Sequence, residues 1–280
     1  MVSIKLIADS GATKAEWCLL KDGKIKTIFT QGISPYFLNT EQIRDLLLKE
    51  LKPNLARVTP AEIFYYGTGC ANPQNAKSVK KAIQQVFATA DVEVNHDLMA
   101  AARALCGRKK GVACILGTGS NSGYYDGKKI VKNSPGLGYV LGDEGSGACL
   151  GKKVIQYYLY KTFDDELRGR FDLTYTTNAA EILENVYKKP LPNRYLAGFT
   201  QFLVDNRGHY MIENIIEDGL NDFFFTHLCK YRETWTMPVS FAGSVAFGFK
   251  DVLQHLCSSY EFELGVVMKN PMAGLVEYHS

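Results

Sequence analysis

The chain has 280 residues, with 32 basic and 29 acidic side chains and a net charge of +3. That balance is too even to argue for a nucleic-acid partner. A composition 46% hydrophobic and 22% charged suits a soluble globular protein, and the length exceeds one core, so two lobes are expected. No apolar run nears the ~18 residues of a membrane span, and no basic-then-apolar leader opens the chain. The seven cysteines, at 18, 70, 106, 114, 149, 229 and 257, show no C-x-x-C spacing. Reduced thiols in a cytoplasmic protein are therefore expected.

Three short strands open the chain, Lys5 to Ala8, Glu16 to Lys21 and Lys24 to Thr30, the last two joined by a hairpin turn at Lys21-Asp22-Gly23-Lys24. A helix is expected from Glu41 to Lys52, with Ile43, Leu46, Leu47 and Leu51 on one face, Thr40 as its cap and Pro53 as its end. The strand Glu62 to Tyr66 leads into Gly67-Thr68-Gly69, and Asn75 to Thr89 reads as an amphipathic helix. Val92 to Val94 is a strand, and Asp97 to Cys106 an Ala-rich helix. Antiparallel strands followed by alternating helix and strand form a mixed sheet flanked by helices.

From Gly111 the pattern starts over. Val112 to Leu116 leads into Gly123 to Asp126, a turn, and Lys129 to Lys132, which suggests two related lobes. A Gly-rich bend, Gly142 to Gly151, enters a helix around Lys153 to Tyr160, and residues 163 to 235 read as mostly helical. Pro238 to Ala242 is a strand closed by Gly243-Ser244-Val245-Ala246, Phe249 to Ser258 a helix, and the tail from Pro271 a last short helix.

Two Gly and hydroxyl loops carry the chemistry. Asp9-Ser10-Gly11-Ala12-Thr13-Lys14 closes the first strand, and Gly117-Thr118-Gly119-Ser120-Asn121-Ser122 closes the strand at 112–116. Glycine lets backbone N–H groups face an anion, and Thr and Ser add hydroxyl donors. A carboxylate heading the first loop makes sense with a hydrated divalent cation between it and a phosphate. A nucleotide held between two halves accounts for all three features.

These loops resemble the phosphate loops of the actin-like ATPase and sugar-kinase superfamily, and Ala242-Gly243-Ser244-Val245-Ala246 resembles its adenosine loop. Asn95-His96-Asp97-Leu98-Met99-Ala100-Ala101-Ala102 and Gly138-Tyr139-Val140-Leu141-Gly142-Asp143-Glu144-Gly145-Ser146 resemble the N-acetylglucosamine kinases of the BadF/BadG-type ATPase family. The resemblance implies an α/β fold of two actin-like (ribonuclease H-like) lobes, 1–115 and 116–280, with an interlobe nucleotide cleft. It also implies a helical insertion in the second lobe and a last helix packed back on the first. It further implies ATP and Mg2+ as cofactors, with Asp9 on the metal side. Gly11, Thr13 and Lys14 would face the phosphates from one lobe and Gly117, Thr118 and Gly119 from the other, and Gly243 and Ser244 would lie at the adenosine.

Asp97 reads as the catalytic base, following a strand, heading a helix and flanked by small residues that leave room for a substrate; the alternative is a helix N-cap. Asp143 reads as a ligand of sugar hydroxyls, although Asp143, Glu144 and Ser146 are equally candidate caps for the next helix. Asn121 is placed to reach a sugar from the same direction, while His96 reads as structural or solvent-facing. The resemblance implies an Asn in the bend after the third strand; Ser34 stands there instead, and Asn39 lies farther along. The expected function is ATP-dependent phosphorylation of an amino sugar, N-acetylglucosamine first, with a possible homodimer. The alternatives are an ATPase activating a partner redox enzyme, for which Cys70 is the one loop thiol near the cleft, and a non-catalytic nucleotide-dependent regulator.

Overall fold

The computed structural model describes residues 4–56, 58–134 and 136–280. Two compact units emerge, one running to Arg108 and rejoined by Pro271–Ser280, the other spanning Lys109–Asn270. The division falls ahead of the strand at 111–116 rather than after residue 115, because that strand pairs with Ser120–Tyr125 and Val239–Ala242.

The first unit holds β1 (Lys5–Ser10), β2 (Lys14–Lys21), β3 (Lys24–Gln31), α1 (Thr40–Leu46), β4 (Glu62–Gly67), α2 (Pro73–Val86), β5 (Asp91–His96) and α3 (Asp97–Cys106). Its sheet runs β3-β2-β1-β4-β5, with β1, β4 and β5 parallel and β2 and β3 antiparallel. Asp22 and Gly23 both take positive φ, 50° and 73°, as a two-residue hairpin turn between twisted strands requires. Along β1 the pleat sends Leu6 and Ala8 into the core with α1 and α2, so Asp9 projects from the opposite face.

Two expectations for α1 change. Asn39, not Thr40, caps it, through a reciprocal bond with Gln42. The helix also passes at Leu47 into a wider π-helical turn and then a 3-10 turn holding Pro53, ending at Leu55. Ile43, Leu47 and Leu51, four apart, are all fully buried, so packing of that stripe overrides the regular repeat.

The second unit begins with β6 (Gly111–Leu116), β7 (Ser120–Tyr125) and β8 (Ile130–Ser134). Seven helices follow, α4 (Gly138–Leu141), α5 (Gly147–Leu159), α6 (Asp165–Thr174), α7 (Ala179–Tyr187), α8 (Pro192–Gly198), α9 (Thr200–Asp205) and α10 (Tyr210–Thr226). Then come β9 (Val239–Ala242), α11 (Ser244–Gly248), α12 (Lys250–Ser259) and β10 (Leu264–Met268). The sheet runs β8-β7-β6-β9-β10, the first sheet's order and directions repeated. The helices between β8 and β9 bury a large aromatic and aliphatic core that includes Phe171, Phe202, Phe223, Phe224 and Phe241. No helix among the described residues is long and apolar enough to cross a membrane.

After β10 the chain returns to the first unit as α13 (Met272–His279), packed on α3, β1 and β2. A Cβ at Gly274 would sit 2.5 Å from the Ala104 carbonyl oxygen, so the two helices touch backbone to backbone. Ala100, Ala101 and Ala102 are all buried. The small residues of α3 therefore take part in close packing.

Candidate functional site

In the first unit the parallel strands β1, β4 and β5 run in register, Asp9 beside Tyr66 and Tyr66 beside Asn95. Their carboxyl ends thus finish together, the usual ligand edge of a parallel sheet. Asp9 is one residue from the end of β1, and Asp97 opens α3 directly after β5. The N-cap of that helix is His96, half-buried, with no side-chain cap bond. Asp97 instead accepts the Leu98 N–H at 2.8 Å, so the cap reading holds only in that it satisfies a first-turn donor. Burial raises the Asp97 carboxyl above its ordinary range, against the pull of that bond. Asp9 is pushed up to about 7 by burial, then by the charges of Asp97 and of its cross-strand neighbour Glu16. The Asp97 charge thus opposes ionisation of Asp9, as a nearby like charge does. Beside them Cys70 is buried, its thiol raised to about 12 by burial and by Asp97.

The first loop turns on itself, Gly11 N–H donating to the Lys14 carbonyl at 3.0 Å. It rests on Gly32, where a Cβ would lie 2.5 Å from the Thr13 and Lys14 nitrogens and closer still to the Gly11 carbonyl. Gly11, Thr13 and Lys14 are exposed, and the Lys14 ammonium lies 3.7 Å from the centre of the Phe29 ring. The Ser10 hydroxyl accepts the Ile33 N–H at 3.0 Å and its carbonyl accepts the Thr68 N–H at 3.1 Å. Ser34, buried, follows at once and turns the chain by accepting the Phe37 and Leu38 N–H groups. Asp9, Asp97, the first loop and the Ser34 bend are thus assembled around one strand edge.

The second unit repeats the arrangement. Gly117–Gly119 closes β6, and its carbonyls at Gly117 and Thr118 accept the N–H groups of Gly147 and Ala148 that open α5, at 2.8 and 3.1 Å. A Cβ at Gly117 would meet nothing within 4 Å. Gly243 follows β9 at φ +127°, and a Cβ there would lie 2.6 Å from the Leu116 carbonyl carbon and closer to its oxygen. The end of β6 thus demands this glycine, an internal cause the resemblance alone did not supply. Ser244 starts α11 and is exposed.

Asp143 is nearly buried and holds a left-handed backbone, φ +59°. The backbone of Ser120 and of Gly138 lies near its carboxylate and favours the ionised form, and a Cβ on Gly119 would sit 3.0 Å from its Oδ2. Burial first, then Glu144, raises its carboxyl above the ordinary range. It does not cap α5; Ser146 does, accepting the Cys149 N–H at 3.2 Å. Asn121 is one residue into β7, its Oδ1 accepting from Ser122 N and Asn133 Nδ2, both at 2.9 Å. Residue order alone missed Gly32 and His227. The second joins Glu144 at 2.9 Å across 83 positions, a separation without local signal.

No family model matches the chain, and no curated protein matches it. Among solved structures, a Porphyromonas gingivalis protein provisionally described as an N-acetylglucosamine kinase is 38% identical, covers 98% of both chains and superposes with a TM-score of 0.93. A Chromobacterium violaceum protein with the same provisional description is 17% identical, covering 100% of this chain and 99% of its own, with a TM-score of 0.79. MreB5 of Spiroplasma citri bound to ADP, 9% identical over 99% and 95% of the two chains, gives 0.63. The last two show the fold alone, which is actin-like and α/β, with two mixed five-stranded sheets flanked by helices. On 38% identity over nearly the full length of both chains, the protein belongs to the family of the Porphyromonas gingivalis protein, within the actin-like sugar-kinase superfamily.

Proposed function

We propose that the protein is an ATP-dependent kinase that phosphorylates a hydroxyl of an amino sugar, with N-acetylglucosamine as the acceptor. The observation that carries the reading is the placement of Asp9 and Asp97, two carboxylates at the common carboxyl ends of β1, β4 and β5, the second raising the first by its charge. Phosphoryl transfer to an alcohol uses one such group on the metal side and a second to take the proton of the attacking hydroxyl. The likeness to the Porphyromonas gingivalis protein, described as a kinase of that sugar, supports the same acceptor. The Gly138–Ser146 segment supports a place among the BadF/BadG-type members.

Mg2+ and ATP fit the residues present. Burial, and after it the charges of Asp97 and Glu16, lifts Asp9 to about 7; a divalent cation beside it would favour its ionised form, and the open space over Gly117 leaves its loop accessible to phosphate. Magnesium, held through Asp9, would supply charge neutralisation at the phosphates. Gly11, Thr13 and Lys14 from the first unit, and Gly117, Thr118 and Gly119 from the second, would donate to phosphate oxygens. Gly243 and Ser244 would lie along the adenosine. On the sugar side, Asp97 takes the proton of the attacking hydroxyl, its carboxylate oriented by the Leu98 N–H. Asp143, Asn121 and Ser34 bind and orient the remaining hydroxyls and the acetamido group. On this reading the partner is a small sugar met in the cytoplasm.

Coupled ADP release with Mg-ATP tests this across N-acetylglucosamine, N-acetylmannosamine, glucosamine, glucose and no sugar. Release that depends on N-acetylglucosamine is the expected result. Slow release indifferent to every sugar overturns it.

A further inference from the structure

The bend that carries Asp143 is gripped from below by the end of α10. A Cβ at Gly145 would meet the Phe223 Cβ at 2.8 Å. One turn on, His227 closes α10 as its C-cap residue, 4% exposed and ring to ring with Phe223 at 5.1 Å. Its imidazole is bonded on both sides, Nε2 to Glu144 Oε2 at 2.9 Å and Nδ1 to the Ser134 hydroxyl at 2.7 Å.

The chain of bonds continues. The Ser134 N–H donates to the Tyr231 hydroxyl at 2.5 Å, and that hydroxyl donates to the Ser122 carbonyl at 3.1 Å. Since the phenol has one hydrogen, the Ser122 hydroxyl, 3.0 Å away, donates to it. By the same accounting, in the neutral ring Nε2–H donates to the Glu144 carboxylate and Nδ1 accepts from Ser134. Five buried or half-buried side chains from the bend, β7, β8 and the end of α10 thus form one satisfied network, the kind that fixes a single local geometry.

We propose that His227 is the positioning residue of the acceptor site, fixing the left-handed turn at Asp143 through Glu144 and tying it through Ser134 and Tyr231 to the strand that carries Asn121. Asp143 and Asn121 sit 22 positions apart in sequence with no direct bond between their side chains in the described network, so a common support must set their spacing. A left-handed non-glycine residue persists only where its surroundings over-determine it. The Glu144–His227 pair and the Gly145–Phe223 contact are those surroundings. In functional terms this inference rests on the kinase reading; in structural terms it stands apart from it.

The test compares His227→Phe, which keeps the packing and loses both bonds, with His227→Gln, whose amide reaches the Glu144 side. Amide hydrogen exchange at Ser120 and Gly138, whose backbone lies beside the Asp143 carboxylate, reads the positioning. In H227F both amides are expected to exchange at least tenfold faster, with H227Q close to the parent. Turnover with N-acetylglucosamine should show a tenfold or greater rise in sugar KM, with the ATP KM within about twofold. Unchanged exchange at Ser120 and Gly138 in H227F overturns the proposal, as does a uniform loss of protection through β6 and α5, which marks a merely structural role. Parent protein that turns over no sugar sinks the kinase reading, and the exchange result still decides the positioning.

Discussion

In the proposed reaction Asp97 and Asp9 face opposite demands. A base must accept a proton near neutral pH, which a raised carboxyl favours, and a metal-side carboxylate must be ionised when the cation arrives. Asp97→Asn is expected to lower kcat by about 10²- to 10⁴-fold and to leave ATP affinity within a few-fold, measured by turnover and by nucleotide titration. For Asp9 the sign follows from linkage. The unfolded chain releases this proton near the ordinary carboxyl value of 3.8, the folded metal-free protein near 7. Between those values the folded state binds the extra proton, so its stability falls as pH rises from about 4 to 7. Thermal denaturation in EDTA should show this decline in the parent protein and a flatter profile in Asp9→Asn. The places of both residues were legible because each lies at the carboxyl end of a strand, Asp9 just before it and Asp97 just after, inside its own short motif. His227 and Tyr231 were not, because their partners lie 83 to 109 positions away.

At the scale of elements, α3 begins and ends at the expected residues, 97 and 106, since a strand end and a glycine bracket it. β10 gave no such signal. Its five residues include Gly265, set against the Ser240 hydroxyl, and its register with β9 shifts between Leu264 and Val267. Only the parallel neighbour makes it a strand. The closing helix α13 hangs on His279, stacked on Phe64 at 3.8 Å, bonded to the Tyr66 hydroxyl at 2.8 Å, and with its carbonyl taken by the Lys5 ammonium. The same phenol meets Arg103, which pairs with Glu93 at 2.8 Å. Burial, then the Arg103 charge, lowers the imidazole to about 4. The unfolded chain takes up that proton near 6.5 and the folded protein only near 4, so α13 loses stability as pH falls across that window. Amides of α13 should exchange faster at pH 5 than at pH 7 after correction for intrinsic rates, and His279→Phe should remove the difference.

Across the whole molecule the two sheets share one strand order and one way of ending. Each places a glycine loop after its first strand and braces it with a second glycine, Gly32 in one unit and Gly243 in the other. That repetition was visible in the sequence as strand and loop starting over at Gly111, whereas the bracing glycines became visible only when distant segments met. On the proposed reading each unit's loop has a threonine whose loss should cost nucleotide binding. Thr13→Ala and Thr118→Ala are each expected to weaken ATP binding by roughly tenfold, about 1.4 kcal/mol. Each should shrink the ATP-induced rise in melting temperature, with the nucleotide-free melting temperature near that of the parent. A loss confined to one of the two variants would assign the phosphates to one unit alone.

Gly32 also stands two residues before Ser34, so the floor of the first glycine loop and the Ser34 bend are one short ribbon of chain. A graft that replaced residues 32–39 with a relative's segment would therefore reshape that loop unless position 32 stayed glycine. Evolution faces the same linkage: the bend is free to drift only downstream of a residue that the loop holds fixed.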